Sequence, residues 1–241
     1  MRIAILSDIH SNLSALEAVV DSFGSVDAVW HLGDVVGYGP EPVPVIERLR
    51  ELRAIGVKGN HDDAALGGES AQLFTPDAAA AIAWTRRQLG SEEYFLARLP
   101  EVLVPDGFDF TLVHGSPRQP IWEYLDRPGL AAENMRGFST SHCLVGHTHV
   151  PVIFLDRKGR AEMLTVEPGL DFRLKRGRAI LNPGSVGQPR DGDPRASYMV
   201  LDTEAGVARW ERVAYDIEAT ASAMEAAGLP ARLARRLSFG L

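Results

Sequence analysis

Five short islands, SDIH at 7–10, GD at 33–34, GNHD at 59–62, VHG at 113–115 and GHTH at 146–149, hold five of the chain's seven histidines, and each follows a short apolar run. Imidazole, carboxylate and amide oxygen are donors that suit borderline divalent ions such as manganese, iron, cobalt or zinc. In open α/β sheets, side chains just beyond the carboxyl ends of strands converge on one crevice. The pattern therefore calls for a fold that brings five strand ends to one place, and it points to a binuclear metal site.

The rest of the chain has the elements such a fold needs. Arg2 to Leu6 reads as a strand, and Ser14 to Phe23 as a helix with Leu16, Val20 and Phe23 at helical spacing and Ser14 with Glu17 as its capping box. The pattern repeats with a strand over Asp27 to Leu32, a loop rich in Gly and Pro, a helix through Val45, Ile46, Leu49 and Leu52, and a strand near Ala54 to Lys58. This βαβαβ order predicts an α/β fold with mainly parallel pairing. Residues 62 to about 100 read as helical, with Thr75 and Pro76 as one start, Ser91 as another and Pro100 as a stop, so they are expected to form a side layer or lid. Phe108 to Val113 and His142 to Val145 return to strand. From Val152 onward, successive strand candidates joined by turns predict antiparallel pairing and a second sheet packed on the first. The tail from Ile217 to Leu237 reads as helix interrupted by Gly228 and Pro230. With no repeat, low-complexity run or clear linker, residues 1–241 are expected to form a single domain.

Composition narrows the function classes. A formal charge of −7 opposes non-specific attraction to nucleic acid or anionic membranes, so no stable nucleic-acid partner is expected. The lone cysteine, Cys143, lies in an apolar strand and can form no internal disulfide, which fits a reducing compartment. No apolar run approaches the ~20 residues of a spanning helix. The start MRIAILSD lacks the pattern of a secretory signal. A cytoplasmic protein acting on a small substrate is the expectation.

Taken singly, each island has an ordinary explanation. Asp8 and His10 are two residues apart after a strand, but such an Asp commonly serves as a turn residue or helix cap. Asp34 follows Gly33 and could approach two cations with one oxygen each; a turn aspartate is the alternative. Asn60 offers a neutral amide oxygen, and His61 offers a titratable proton beside Asp62, where a plain Gly-Asn turn would also do. His114 alone would pass as a core histidine. His147 and His149, at the end of an apolar strand, seldom serve packing alone. It is the joint recurrence at strand ends that selects the metal reading.

In this order, DxH, GDxxG, GNHD, VHG and GHTH resemble the calcineurin-like metallophosphoesterase superfamily, and NPGSVGQPRDG at 182–192 resembles its small bacterial phosphoesterase branch. The resemblance implies a four-layer αββα sandwich of two mixed sheets flanked by helices. By motif position it implies one ion held by Asp8, His10, Asp34 and His149, and a second by Asp34, Asn60, His114 and His147, with Asp34 bridging. Manganese, iron, zinc, cobalt or nickel fit these donors, with manganese expected to support activity. Paired cations lower the pKa of a water between them and clamp an in-line displacement at phosphorus, so metal-bound hydroxide is the expected nucleophile for phosphomonoester or phosphodiester hydrolysis. His61, held by Asp62, is expected to protonate the departing oxygen or stabilise charge on it. A non-catalytic metal-binding scaffold of the same fold and a nuclease acting on short single strands are the competing functions.

The sequence departs from the protein Ser/Thr phosphatases of this superfamily, which carry an arginine soon after the GD aspartate, whereas here the chain continues GDVVGYGP. Arg118 and Arg190 are the alternatives for gripping phosphate, since a guanidinium matches phosphate with paired donors. Tyr38, Trp122 and Tyr124 are candidates for stacking on a nucleoside or other flat leaving group, or for simple packing. His31 and His142 are read as structural, or as supports behind the ligands, rather than as ligands themselves. The NPGS turn at 182–185 could aim backbone N–H groups at the metals or phosphate, or simply join two strands.

Overall fold

The computed structural model describes residues 1–68, 73–174 and 177–241. Strand β1 (Arg2–Leu6) sets the architecture through its alternation. Ile3 and Ile5 project to one face and Ala4 and Leu6 to the other, all fully buried, so this strand is covered on both sides. It pairs in parallel with β2 (Ala28–His31), which pairs in parallel with the short β3 (Ile55–Gly56). On its other side β1 meets β11 (Ala196–Asp202) antiparallel, followed by β12 (Val207–Val213) and β9 (Asp171–Arg173). The resulting six-stranded mixed sheet has the order β3-β2-β1-β11-β12-β9.

A second six-stranded mixed sheet has the order β4-β5-β6-β10-β7-β8. Its centre is parallel, with β6 (His142–Leu144) between β5 (Phe110–Val113) and β10 (Ala179–Asn182). Its margins are antiparallel: β4 (Val102–Leu103) on one side, β7 (Val152–Asp156) and β8 (Ala161–Thr165) on the other. The two sheets pack face to face through Ile3, Ile5, Trp30 and Leu32 of the first and Leu112, Leu144, Ile153 and Leu181 of the second.

Helices complete the outer layers. The apolar stripes of α1 (Leu13–Ser22) and α2 (Pro42–Glu51) supply Leu16, Val19, Val45, Ile46 and Leu49 against Ala4 and Leu6. Beyond the second sheet, Ala131 of α6 (Pro128–Asn134) packs with Val113, Cys143 and Ile180. The four-layer expectation is met.

Residues 62 to about 100 are mostly helical where described, in α3 (Asn60–Ala65), α4 (Pro76–Leu89), a 3-10 turn (Gly90–Glu92) and α5 (Glu93–Ala97), joined by turns. Residues 69–72 of that expected layer lie outside the described residues. Thr75 caps α4 as its sequence predicts, accepting from Ala78 N. The tail forms α7 (Ile217–Ala226) and α8 (Ala231–Leu237), which pack on α4 and Tyr38 through Met224, Leu233 and Leu237.

The structure corrects one local expectation. The cap of α1 is Asn12, whose Oδ1 accepts from Ala15 N at 3.1 Å, not Ser14. Asn12 also donates to Gly187 O at 3.0 Å, tying the start of α1 to the 182–192 loop, while Glu17 pairs with Arg48.

Candidate metal centre

The parallel strands β1, β2, β3, β5 and β6 deliver their carboxyl ends to one crevice, and the loops that follow are wound tightly there. Asp8, His10, Asp34, His147 and His149 all take positive φ, between 51° and 66°. Non-glycine residues in that region cost of order 1–3 kcal/mol each and persist only where the surroundings impose them. Here the imposed conformation turns each side chain inward, and all five are at most 2% exposed.

Their donor atoms form two groups. Ligand atoms of Asp8, His10, Asp34 and His149 lie within 4.8 Å of one another, and so do those of Asp34, His114 and His147. Asn60 joins the second group, its Oδ1 standing 3.0 Å from His114 Nε2. Asp34 belongs to both through one oxygen. Its Oδ2 lies 3.6 Å from His10 Nε2 and 3.4 Å from His114 Nε2, whereas Oδ1 accepts from the His61 backbone N–H at 2.8 Å. Thus Oδ2 is the oxygen that stands between the two groups, while the start of α3 engages Oδ1.

The outer nitrogens fix the rings. His10 Nδ1 bonds to Val36 O, His114 Nδ1 to Leu32 O at 2.8 Å and His149 Nδ1 to Gln188 O at 2.5 Å, so each presents Nε2 inward. Such backbone anchoring of one ring nitrogen orients the other as a metal donor. His147 instead presents Nδ1, 3.1 Å from His114 Nε2, with Tyr124 stacked on its ring at 3.9 Å. Asp8 Oδ2 accepts from Ser7 Oγ and His147 N, which leaves Oδ1 3.2 Å from His149 Nε2.

The donor set fits divalent cations. Asp8 Oδ1 and Asp34 Oδ2 are buried and have no hydrogen-bond donor among the described residues. Unpaired buried carboxylate oxygens are costly unless a cation compensates them. Burial pushes His10 and His149 well below the usual histidine range and His147 down to about 3, leaving neutral rings with lone pairs to give. Burial alone would also lower His114, but the Asp34 and Asp8 carboxylates lift it to about 9. Burial would raise Asp34, yet His114 and His61 outweigh it and hold that carboxyl well below its ordinary value. Asp8, with burial dominant, rises to about 7. The centre thus favours positive charge between Asp34 and its histidines.

His61 lies beside the two groups rather than in either. Its ring is 4.7 Å from that of His10 and 4.3 Å from that of Tyr38. Asp62 does not hold it. The Asp62 oxygens accept from Val36 N at 3.1 Å and Gly59 N at 3.0 Å, and His61 Nδ1 has no hydrogen-bond partner among the described residues. Consecutive helical residues point in different directions, so neighbours in sequence need not face one another. Asp62 clamps the Asp34 and Asn60 loops together.

A cavity of about 340 Å³ opens onto the donors, lined by Asp34, Asn60, His61, His147, His149 and Arg190 among others. A larger hollow, about 560 Å³, lies around Tyr198, Arg209 and Glu211 and contains none of them. Arg190 donates to Tyr38 OH at 3.3 Å and to Gln188 Oε1 at 3.0 Å. Arg118, the other arginine singled out from sequence, lies outside the cavity, its guanidinium paired with Glu123 at 2.5 Å and with Glu133. Tyr38 is buried against His10 and His61, and Trp122 meets Phe74 edge to face. These rings are already engaged in the cavity wall. Asn182 keeps the NPGS turn in place, donating to Gly146 O at 2.8 Å, so this loop braces the GHTH segment. Arg236 of α8 also lines the cavity. No motif marks it in the sequence, because only the packing of the tail helices brings it there.

Comparison with known proteins agrees with this arrangement. The chain matches the Calcineurin-like phosphoesterase superfamily domain over residues 1–206. It is 35% identical over 244 residues to the uncharacterized protein MJ0912 of Methanocaldococcus jannaschii, covering 99% of this chain and 98% of that one. It is 30% identical over 217 residues to the phosphodiesterase YfcE of Escherichia coli K12, covering 85% and 89%. The crystal structure of a metallophosphoesterase from Sphaerobacter thermophilus superposes with a TM-score of 0.91 at 46% identity over the whole of both chains. A chain that carries two buried His/Asp clusters at the strand ends of this sandwich, with these relatives, belongs to the calcineurin-like phosphoesterase superfamily, in its YfcE-like small-phosphoesterase branch.

Proposed function

We propose that this protein hydrolyses phosphomonoester or phosphodiester bonds of a small substrate, using two divalent first-row ions, with manganese supporting activity. The observation that carries the reading is the single Asp34 oxygen shared between two buried donor groups. Asp8, His10, Asp34 and His149 would hold one ion, and Asp34, Asn60, His114 and His147 the other. Two cations so held would lower the pKa of a water between them, polarise the phosphoryl oxygens and clamp an in-line displacement.

The remaining residues orient the substrate. Arg190 lines the cavity, and its guanidinium would balance phosphate charge there. His61 is held neutral by burial, its pKa near 4, so its contribution is an N–H hydrogen bond to the departing oxygen. Phe74, Thr75 and Ala78 make the helical layer a side wall of the cavity. The cavity volume and the charge of −7 favour a small phosphoester, a nucleotide included, over a long nucleic acid, and no described helix is long and apolar enough to cross a membrane. Residues 1–241 act here as one domain in the reducing cytoplasm, consistent with the buried, unpaired Cys143.

The test is hydrolysis of bis(4-nitrophenyl) phosphate and 4-nitrophenyl phosphate with added manganese, alongside metal analysis of the purified protein. Asp34→Asn is expected to abolish turnover and to lower bound metal from two ions per chain. A variant that keeps full activity would overturn the assignment.

A further inference from the structure

The cavity carries a second cationic group that the phosphoester reading does not use. Arg190 lies on the metal side of it: its charge acts on Asp8, His10, His61, His147 and His149. Arg236 lines the same cavity; its charge acts on Tyr38, and burial, then Arg190, push its own pKa down. Its Nε donates to the main-chain oxygen of Leu241 at 2.6 Å, which leaves the two terminal nitrogens of the fork for another acceptor. Arg232, one helical turn earlier, lines an adjoining hollow of about 420 Å³ together with Arg236 and Asp77. Two guanidiniums share this half-buried wall, and the partners of Arg190 are a phenol and a carboxamide rather than a carboxylate. Like charges brought together out of water repel, and an anion between them relieves the repulsion.

The phosphoester reading assigns one phosphate to the cavity and sets Arg190 alone against its charge, which leaves Arg236 unassigned. The family match ends at residue 206, so Arg236 belongs to a segment that the shared core does not include. We propose that Arg236, with Arg190, binds a second phosphate group of the substrate beyond the scissile one, making the protein selective for phosphoesters that carry two phosphates. The inference takes the identity of the scissile end from the phosphoesterase reading.

The test uses matched compounds that differ only in the outer phosphate. Hydrolysis of thymidine 5′-(4-nitrophenyl phosphate) is compared with that of its 3′-phosphorylated counterpart, for the wild-type, Arg236→Gln, Arg236→Lys and Arg235→Gln proteins. Calorimetric binding of thymidine 3′,5′-bisphosphate and thymidine 5′-monophosphate to the metal-loaded proteins gives a readout independent of turnover. We expect the wild-type to favour the bisphosphorylated member of each pair by about tenfold, the scale of one charge-assisted contact. That preference should collapse in Arg236→Gln and return in part in Arg236→Lys. Arg235, exposed on the same helix and outside the cavity, controls for loss of charge alone, and Arg235→Gln should keep the preference. Equal ratios in wild-type and Arg236→Gln would overturn the inference while leaving the phosphoesterase reading intact. If neither ester is hydrolysed but Arg236→Gln still loses the binding preference, the phosphate pair stands and the reading of the scissile end falls.

Discussion

At the scale of single residues, the side chains that shape this centre include several that touch no substrate. Asp62 is fully buried and accepts two backbone N–H groups from different loops. Stranding a buried N–H costs about 1–3 kcal/mol, so Asp62→Ala should lose at least that much stability in urea titrations and bind metal more weakly. A variant as stable as the parent would show that the clamp contributes nothing. His31 makes a different prediction. Fully buried, with neither ring nitrogen hydrogen-bonded among the described residues, it is pushed by burial from 6.5 down to about 4. The unfolded chain therefore binds the extra proton first as pH falls. The stability that a neutral His31 confers is complete above pH 6.5 and drains away towards pH 4, by about 3 kcal/mol at 1.36 kcal/mol per pKa unit. Subtracting the stability curve of His31→Phe from that of the wild-type should isolate this slope, and parallel curves would exclude it. The donor residues were legible because their types recur at strand ends. The job of Asp62 was not, since adjacency in sequence says nothing about direction around a helix. Arg236 left no sequence signal at all.

At the scale of elements, the strands that aim the centre are those whose patterns read most clearly. Strands β1, β2, β5 and β6 are short, apolar and followed at once by donors, so both existence and orientation were legible. The two-residue strands β3 and β4 and the three-residue β9 fall below the length at which alternation gives a signal, and β4 and β9 were missed. Helix α6 was hidden in a polar stretch because it buries little beyond Ala131 and Asn134. The shortness of β3 has a consequence. Two residues of pairing cannot set the GNHD loop, so backbone contact does: a Cβ on Gly33 would meet Gly59 N at 2.5 Å, and one on Gly59 would meet Asp34 Oδ1 at 2.1 Å. Gly59 has φ −99°, a value open to alanine, so the cost of Gly59→Ala falls on Asp34 rather than on its own backbone. Overpacking of this kind typically costs about 1–3 kcal/mol. Gly59→Ala should remain folded, lose bound metal and lose most activity. Full metal occupancy in a folded Gly59→Ala protein would show that the loops yield more easily than this packing implies.

At the scale of the whole molecule, the donor residues divide between the two sheets. Asp8, His10, Asp34 and Asn60 follow β1, β2 and β3 of the first sheet, whereas His114, His147 and His149 follow β5 and β6 of the second. Each donor group contains residues from both. Cations bound there would join the sheets at one edge of the sandwich, while Ile3, Ile5, Leu112 and Leu181 hold their faces together without them. Metal removal is therefore expected to leave a folded protein that melts earlier, not an unfolded chain. An ion that binds only the native state, present at about a hundred times its dissociation constant, adds about 2.7 kcal/mol. For a chain of this size that corresponds to a rise in melting midpoint of roughly 5–10 °C. Calorimetric scans of chelator-stripped and manganese-loaded protein should differ by at least that amount, since two ions are bound, and Asp34→Asn, which loses the shared oxygen, should lose most of the shift. Identical midpoints, with metal content confirmed by elemental analysis, would mean that the ions bind the unfolded chain as well as the folded one, which a site assembled from both sheets does not allow. The shared carboxylate would then not be the joint between the two halves of the fold.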